Sequence, residues 1–265
     1  MKNVEIFRIL LKLVDNNVNI SNYSKSTLLD VAIHYSSVDI ASEIISNEKF
    51  DKEKNSIVDI FKQVLLNNEF STDMAEQILE FDEKNDHLID LNKCLPNGQS
   101  YFTILDTSRA IYKRVSLLLK HGADPNKPDD NGVYPLALAI FNSIENYVSA
   151  LLDSNKIDLT KHITEETKRI SYRISNVFDD MRDRMVNFTA KYTTYLHLAA
   201  MSNDDIFKKF LEIETININE LDEQGNTPLM YAAALGHHSN VDALFEFSRQ
   251  EVDYKHVNIL DTSKE

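Results

Sequence analysis

Thr194-Tyr195-Leu196-His197-Leu198-Ala199-Ala200 returns further on as Thr227-Pro228-Leu229-Met230-Tyr231-Ala232-Ala233. A fixed period of about 33 residues constrains a chain more than its composition does. It implies one small supersecondary unit, copied, whose apolar face can be buried only against its neighbours. The functional question then shifts from where a pocket lies to which surface binds.

The later copy shows the local logic most fully. Asp222-Glu223-Gln224-Gly225-Asn226 reads as a turn in which Gly225 can take a positive φ. Thr227 stands as a helix N-cap, and Pro228 sits in the first turn, where no amide donor is required. Leu229, Ala232 and Ala233 are expected on the buried face of a short inner helix, with the alanines letting paired helices approach closely. Gly236 ends that helix, and Val241, Leu244 and Phe245 give the apolar face of a second one. In the earlier copy Asn203 takes the place of Gly236, and Asn tolerates left-handed φ. Ile206, Phe210 and Leu211 face the core there, and Asn217-Ile218-Asn219 closes the unit.

Further copies lie upstream. One starts at Asp129-Asp130-Asn131-Gly132-Val133-Tyr134-Pro135-Leu136 and runs to Asp158. Its predecessor ends in Leu117-Leu118-Leu119-Lys120-His121-Gly122-Ala123-Asp124-Pro125-Asn126 and starts degenerately at Asn97-Gly98-Gln99-Ser100. Ser26-Thr27-Leu28-Leu29-Asp30-Val31-Ala32 opens a copy near the N-terminus.

Together T-x-L-H-x-A-A, G-A-D-x-N and D-x-x-G-x-T-P-L resemble the ankyrin-repeat family, most strongly over 115–160 and 192–253. The resemblance implies an all-α solenoid of stacked helix-turn-helix pairs with projecting β-turn loops. It divides the chain into about six units: a partial cap at 1–19, then 20–52, a divergent 53–91, 92–126, 127–159, 189–219 and 220–253, with a tail at 254–265. It also gives His197 a structural role, hydrogen-bonding the turn backbone between repeats.

One spacing breaks the frame. A single period on from Tyr134 falls at position 167, yet the matching start is Thr194. The surplus is read as a helical insertion at 160–188. Ile170, Ile174, Val177, Phe178, Met181, Met185 and Phe188 trace one face of a helix. Between 161 and 191 seven Lys/Arg face five Asp/Glu, in a chain of net charge -14. The stripe either packs on the stack or offers Arg169, Arg173, Phe178, Met181, Arg182 and Met185 to a partner.

Catalytic and metal chemistry find little support. His237 and His238 are adjacent and cannot easily share an ion, and no CxxC or HxxxH occurs. His34, His121, His162 and His256 have no suggestive partners in sequence. Cys94, the sole cysteine, lies before the turn-forming sequence Leu95-Pro96-Asn97-Gly98 with no nucleophile motif around it. Asp129-Asp130-Asn131-Gly132 lacks the spacing and terminal Glu of a calcium loop. No cofactor, metal site or catalytic residue is expected. An enzyme built on 53–110 or 160–190, and a self-assembling scaffold, remain the alternative readings.

The acidic balance argues against nucleic-acid partners. No apolar run approaches the ~20 residues of a membrane span, and the N-terminus reads as an amphipathic helix rather than a signal peptide. One cysteine fits a reducing compartment. The expectation is a monomer that binds a protein partner. The Asn/Ile/Lys-rich composition resembles ankyrin proteins of intracellular bacteria, which implies either a cytoplasmic protein or an effector delivered into a eukaryotic host's cytoplasm.

By the same resemblance the partner binds on turn tips and inner helices. The aligned positions are Tyr23, His34 and Tyr35; Asp130, Asn131, Val133, Phe141 and Asn142; Lys191, Met201 and Ser202; and Glu223, Gln224, Asn226 and Leu235. Phe141, Tyr35, Met201 and Leu235 are the expected apolar anchors.

Overall fold

The computed structural model describes residues 2–13, 18–19, 27–35, 37–51, 57–66, 72–84, 87–105, 110–161, 163–164 and 192–251. Tyr23, Lys191 and the six insertion residues from Arg169 to Met185 named above lie outside these residues. So does the side chain of His34, whose backbone closes a helix.

The chain forms two compact units, Met1–Asp124 and Pro125–Glu265. The first contains α1 (Lys2–Leu13), α2 (Leu28–His34), α3 (Val38–Ile45), α4 (Ile57–Leu66), α5 (Thr72–Glu83) and α6 (Ile111–Lys120). Here α2 pairs with α3 and α4 with α5, while α1, α3, α5 and α6 pack in succession. Residues 53–91, divergent in sequence, thus hold a helix pair like the rest. The following segment 101–104 makes only turns, yet Ser100 and Thr103 cap each other's amides as a helix start would.

The second unit contains α7 (Pro135–Phe141), α8 (Glu145–Leu152), α9 (Tyr195–Ala200), α10 (Asp204–Leu211), α11 (Pro228–Leu235) and α12 (His238–Glu251). Inner helices α7, α9 and α11 pack in order, as do outer helices α8, α10 and α12, and each inner helix packs on its own outer partner. All residues of α7 and α9 are buried. Ala139, Ala199, Ala200 and Ala232 have no exposed surface, and a larger side chain there would push neighbouring backbones apart. Among the described residues the sole β ladder is β1 (Ile163–Thr164) with β2 (Tyr192–Thr193), antiparallel, so the class remains all-α.

Three local expectations are corrected. Asn203 does not end α9 in a left-handed conformation. Its φ is -69°, and its side chain caps α10 by accepting from the Ile206 amide at 2.9 Å. A residue that can cap the next helix gains a bond that a left-handed terminator would not make. At the equivalent place after α11, Gly236 does take the left-handed form, with φ 73°. Ala233 and Phe245, expected in the last core, are exposed, because no described helix follows α12 to cover them.

Candidate protein-binding surface

The turns that precede the inner helices share one construction. Asp129 and Val133 join by the Asp129 amide donating to the Val133 carbonyl at 3.0 Å. Asp222 and Asn226 join likewise at 2.9 Å, and Leu95 and Gln99 at 2.8 Å. Each turn leaves three residues at the tip, the last a glycine with φ between 78° and 82°. At Gly225 an added Cβ would meet nothing within 4 Å, so glycine is there for its φ and not for space.

Aspartate sets the turn from inside. The Asp129 carboxylate accepts from the Asn131 and Val133 amides at 2.9 and 3.0 Å. Asp222 accepts from the Gln224 and Asn226 amides at 2.9 and 2.8 Å, and from the Tyr231 hydroxyl. Burial opposes its ionisation, but the bonds from Tyr231, Asn226 and Gln224 outweigh that and hold the carboxyl below its usual range.

His197 ties one unit to the next. Its Nδ1 accepts from the Thr194 amide at 3.4 Å and lies 2.8 Å from the Thr194 hydroxyl, while Nε2 lies 3.0 Å from the Asn226 carbonyl. A carbonyl can only accept, so Nε2 carries the proton and Nδ1 is the acceptor. The ring is fully buried and meets Tyr231 edge-on at 5.4 Å and 90°. Thr27 with Asp30, and Thr227 with Met230, form the same reciprocal cap without a second nitrogen to reach onward.

The frame's surplus enters at one of these turns. Ile163 pairs with Thr193, and Thr193 directly precedes the N-cap Thr194, as Asn226 precedes Thr227. Ile163 and Thr193 therefore form the same root as Asp129 and Val133. Between the strands the chain runs from position 165 to position 191, where the other turns have a short glycine-ended tip.

The structure sorts the aligned surface positions. Asp130, Asn131, Glu223 and Gln224 are exposed at the tips, and Asn142 is half-buried. Asn226 is committed to its own turn, donating from Nδ2 to Asp222. Val133, Phe141, Met201, Ser202 and Leu235 are buried, between 2% and 9% exposed, and the Ser202 hydroxyl donates to the Ala199 carbonyl at 2.9 Å. Three of the four expected anchors therefore fill the core of the second unit. The fourth, Tyr35 in the first unit, is 73% exposed. Val31, one helical turn before it on α2 and 38% exposed, was not read as a surface residue, although the i,i+4 spacing with Tyr35 was visible.

His121 does find a partner. Its Nδ1 lies 2.6 Å from a Glu83 carboxylate oxygen, at the edge of a cleft of about 470 Å³ lined by Asp82, Glu83, His87, Asp90 and Asn92. Three of those polar groups, Asp82, Asp90 and Asn92, serve backbone. Asp82 accepts from the Leu88 and Ile89 amides at 2.8 and 3.0 Å, and Asn92 donates to the Gly122 carbonyl at 3.1 Å. Cys94 is half-buried and does not line the cleft. Among the described residues no group of three or more His, Cys, Asp or Glu could hold a metal ion, and no helix is long and apolar enough to cross a membrane.

The family model for ankyrin repeats in three copies matches residues 175–257. A solved structure described as EF0377, an ankyrin repeat protein, superposes with a TM-score of 0.53 over 82% of this chain and 96% of that one, at 18% identity. The chain folds as an ankyrin-repeat protein. No curated protein matches the sequence. Ankyrin repeats act in general as protein-protein interaction modules.

Proposed function

We infer that the chain is a non-enzymatic protein-binding module that takes its partner on the turn tips of the unit Pro125–Glu265. The observation that carries this reading is the shared root of its turns. Asp130, Asn131, Glu223 and Gln224 stand exposed on two of them, and the long segment 165–191 leaves from a third. Segments added at tips extend a surface without entering the core. The net charge of -14 favours a partner with a basic face, steered by electrostatics. Arg169, Arg173, Phe178, Met181, Arg182 and Met185 are the proposed contacts on the added segment.

The partner is proposed to be a host protein met in a reducing cytoplasm, on the strength of the compositional resemblance to delivered bacterial ankyrin proteins. The experiment is affinity capture with the intact chain, with a chain whose residues 165–191 are replaced by a short glycine-ended tip, and with an Asp130→Lys/Glu223→Lys variant. Loss of the same captured protein in both altered chains, with unchanged melting, is expected. Equal capture by all three would sink the tip assignment. A translocation reporter that stays silent would remove the host setting while leaving the binding surface standing.

A further inference from the structure

Helix α1 has two apolar sides, and the fold covers one. Leu11, 6% exposed, lies on the side that packs on α3, and at the edge Arg8 makes a two-pronged pair with Glu43 at 2.8 and 2.6 Å. On the opposite side Ile6, Ile9, Leu10 and Leu13 are 56%, 62%, 55% and 77% exposed. Their helical spacing, i, i+3, i+4 and i+7, makes one continuous stripe. A helix apolar over two opposite faces is ordinarily buried on both. Four large side chains in one exposed row mark an association surface rather than scattered surface residues.

We propose that two copies of this chain associate through α1, antiparallel, along this stripe. A two-fold axis between Ile9 and Leu10 sets Ile6 beside the partner's Leu13 and Ile9 beside the partner's Leu10. The flanking charges choose the direction. Glu5 and Lys12 are exposed, at i and i+7 on one flank of the helix. A two-fold axis perpendicular to the helices keeps that flank on the same side in both copies. Antiparallel pairing brings Glu5 alongside the partner's Lys12, twice over, whereas parallel pairing, about an axis along the helices, would carry the two flanks to opposite sides and leave both charges without that partner. One short helix buries less than the ~800 Å² per partner of a standard stable interface, so the association is reversible and concentration-dependent. The expectation of a monomer drawn from the sequence then holds only for dilute protein.

The test is sedimentation velocity of the intact chain across the micromolar range. The sedimentation coefficient is expected to climb toward that of a dimer. Leu10→Glu, at an exposed position, should keep the chain monomeric at every concentration without moving its melting curve. Glu5→Lys should weaken association several-fold, and adding Lys12→Glu to the same chain should restore it. A wild-type chain that stays monomeric throughout overturns the proposal. So does a dimer indifferent to Leu10→Glu, or a charge swap that restores nothing. The turn-tip variants described above leave α1 intact, so failure of that surface and failure of this one are separable.

Discussion

Asn126 clasps the backbone around Asp158: its Oδ1 accepts from the Asp158 amide at 2.7 Å, and its Nδ2 donates to the Lys156 carbonyl at 2.7 Å. The same clasp joins Asn92 to Asp124 and Gly122, and Asn19 to Asp51 and Lys49. Each clasp reaches across nearly one period, so one side chain holds two successive loops in register. Asn126→Ala leaves an amide and a carbonyl without their partners. It is expected to cost about 1–2 kcal/mol, read as a lower urea midpoint with unchanged slope. Asn126→Asp keeps the acceptor and loses the donor, and should fall between the two.

His197 makes a similar link from inside the core. His197→Phe keeps a flat ring of comparable size but removes both nitrogens, leaving the buried Thr194 amide unpaired and the Asn226 carbonyl with the Asp222 amide as its remaining donor. The expected loss is about 2–4 kcal/mol. A variant that melts with the wild type would mean these bonds do not hold the two repeats together.

Two adjacent alanines give a sharper contrast. Ala232 has no exposed surface and Ala233 is exposed. Ala232→Leu overpacks the space between inner helices and is expected to cost about 1–3 kcal/mol, whereas Ala233→Leu should move the melting temperature very little. Equal effects would put the inner-helix face in the wrong place.

Asp222 makes stability depend on acid. Its carboxyl lies below the usual range in the folded chain, so its stabilising contribution is complete above about pH 4 and is lost as the pH falls through the lower folded-state value. Melting temperature should decline on that acid limb, and the decline should be shallower in Asp222→Asn. Identical acid limbs in the two proteins would show that other carboxylates govern it.

Much of the repeat frame was legible because each signal has a local cause. Thr227 caps, Pro228 needs no amide, Gly225 takes a positive φ, and Ala232 is small where backbones close in. These causes act within a few residues, so a short window of sequence contains them. Burial at the ends of the inner helices is another matter. Phe141, Met201 and Leu235 occupy corresponding places and read as surface, yet all three are buried. Whether such a side chain is covered depends on the packing of elements distant in the chain. Asn203 misled for a related reason: it can end one helix or begin the next, and the bond to the Ile206 amide decides. The size of the surplus could be counted from the frame, but its point of entry became visible only through the Ile163–Thr193 pairing.

That pairing has an evolutionary consequence. A loop closed at its root costs closure entropy that grows only with the logarithm of its length. For an unstructured loop, a tenfold increase in length adds about 2 kcal/mol. The pairing at the root fixes where the segment leaves and where it returns. The finger is therefore a cassette port. Sequence of almost any content and length can be exchanged there under selection while the framework drifts independently, and the neighbouring fingers at Asp129–Val133 and Asp222–Asn226 have the wiring to accept the same exchange.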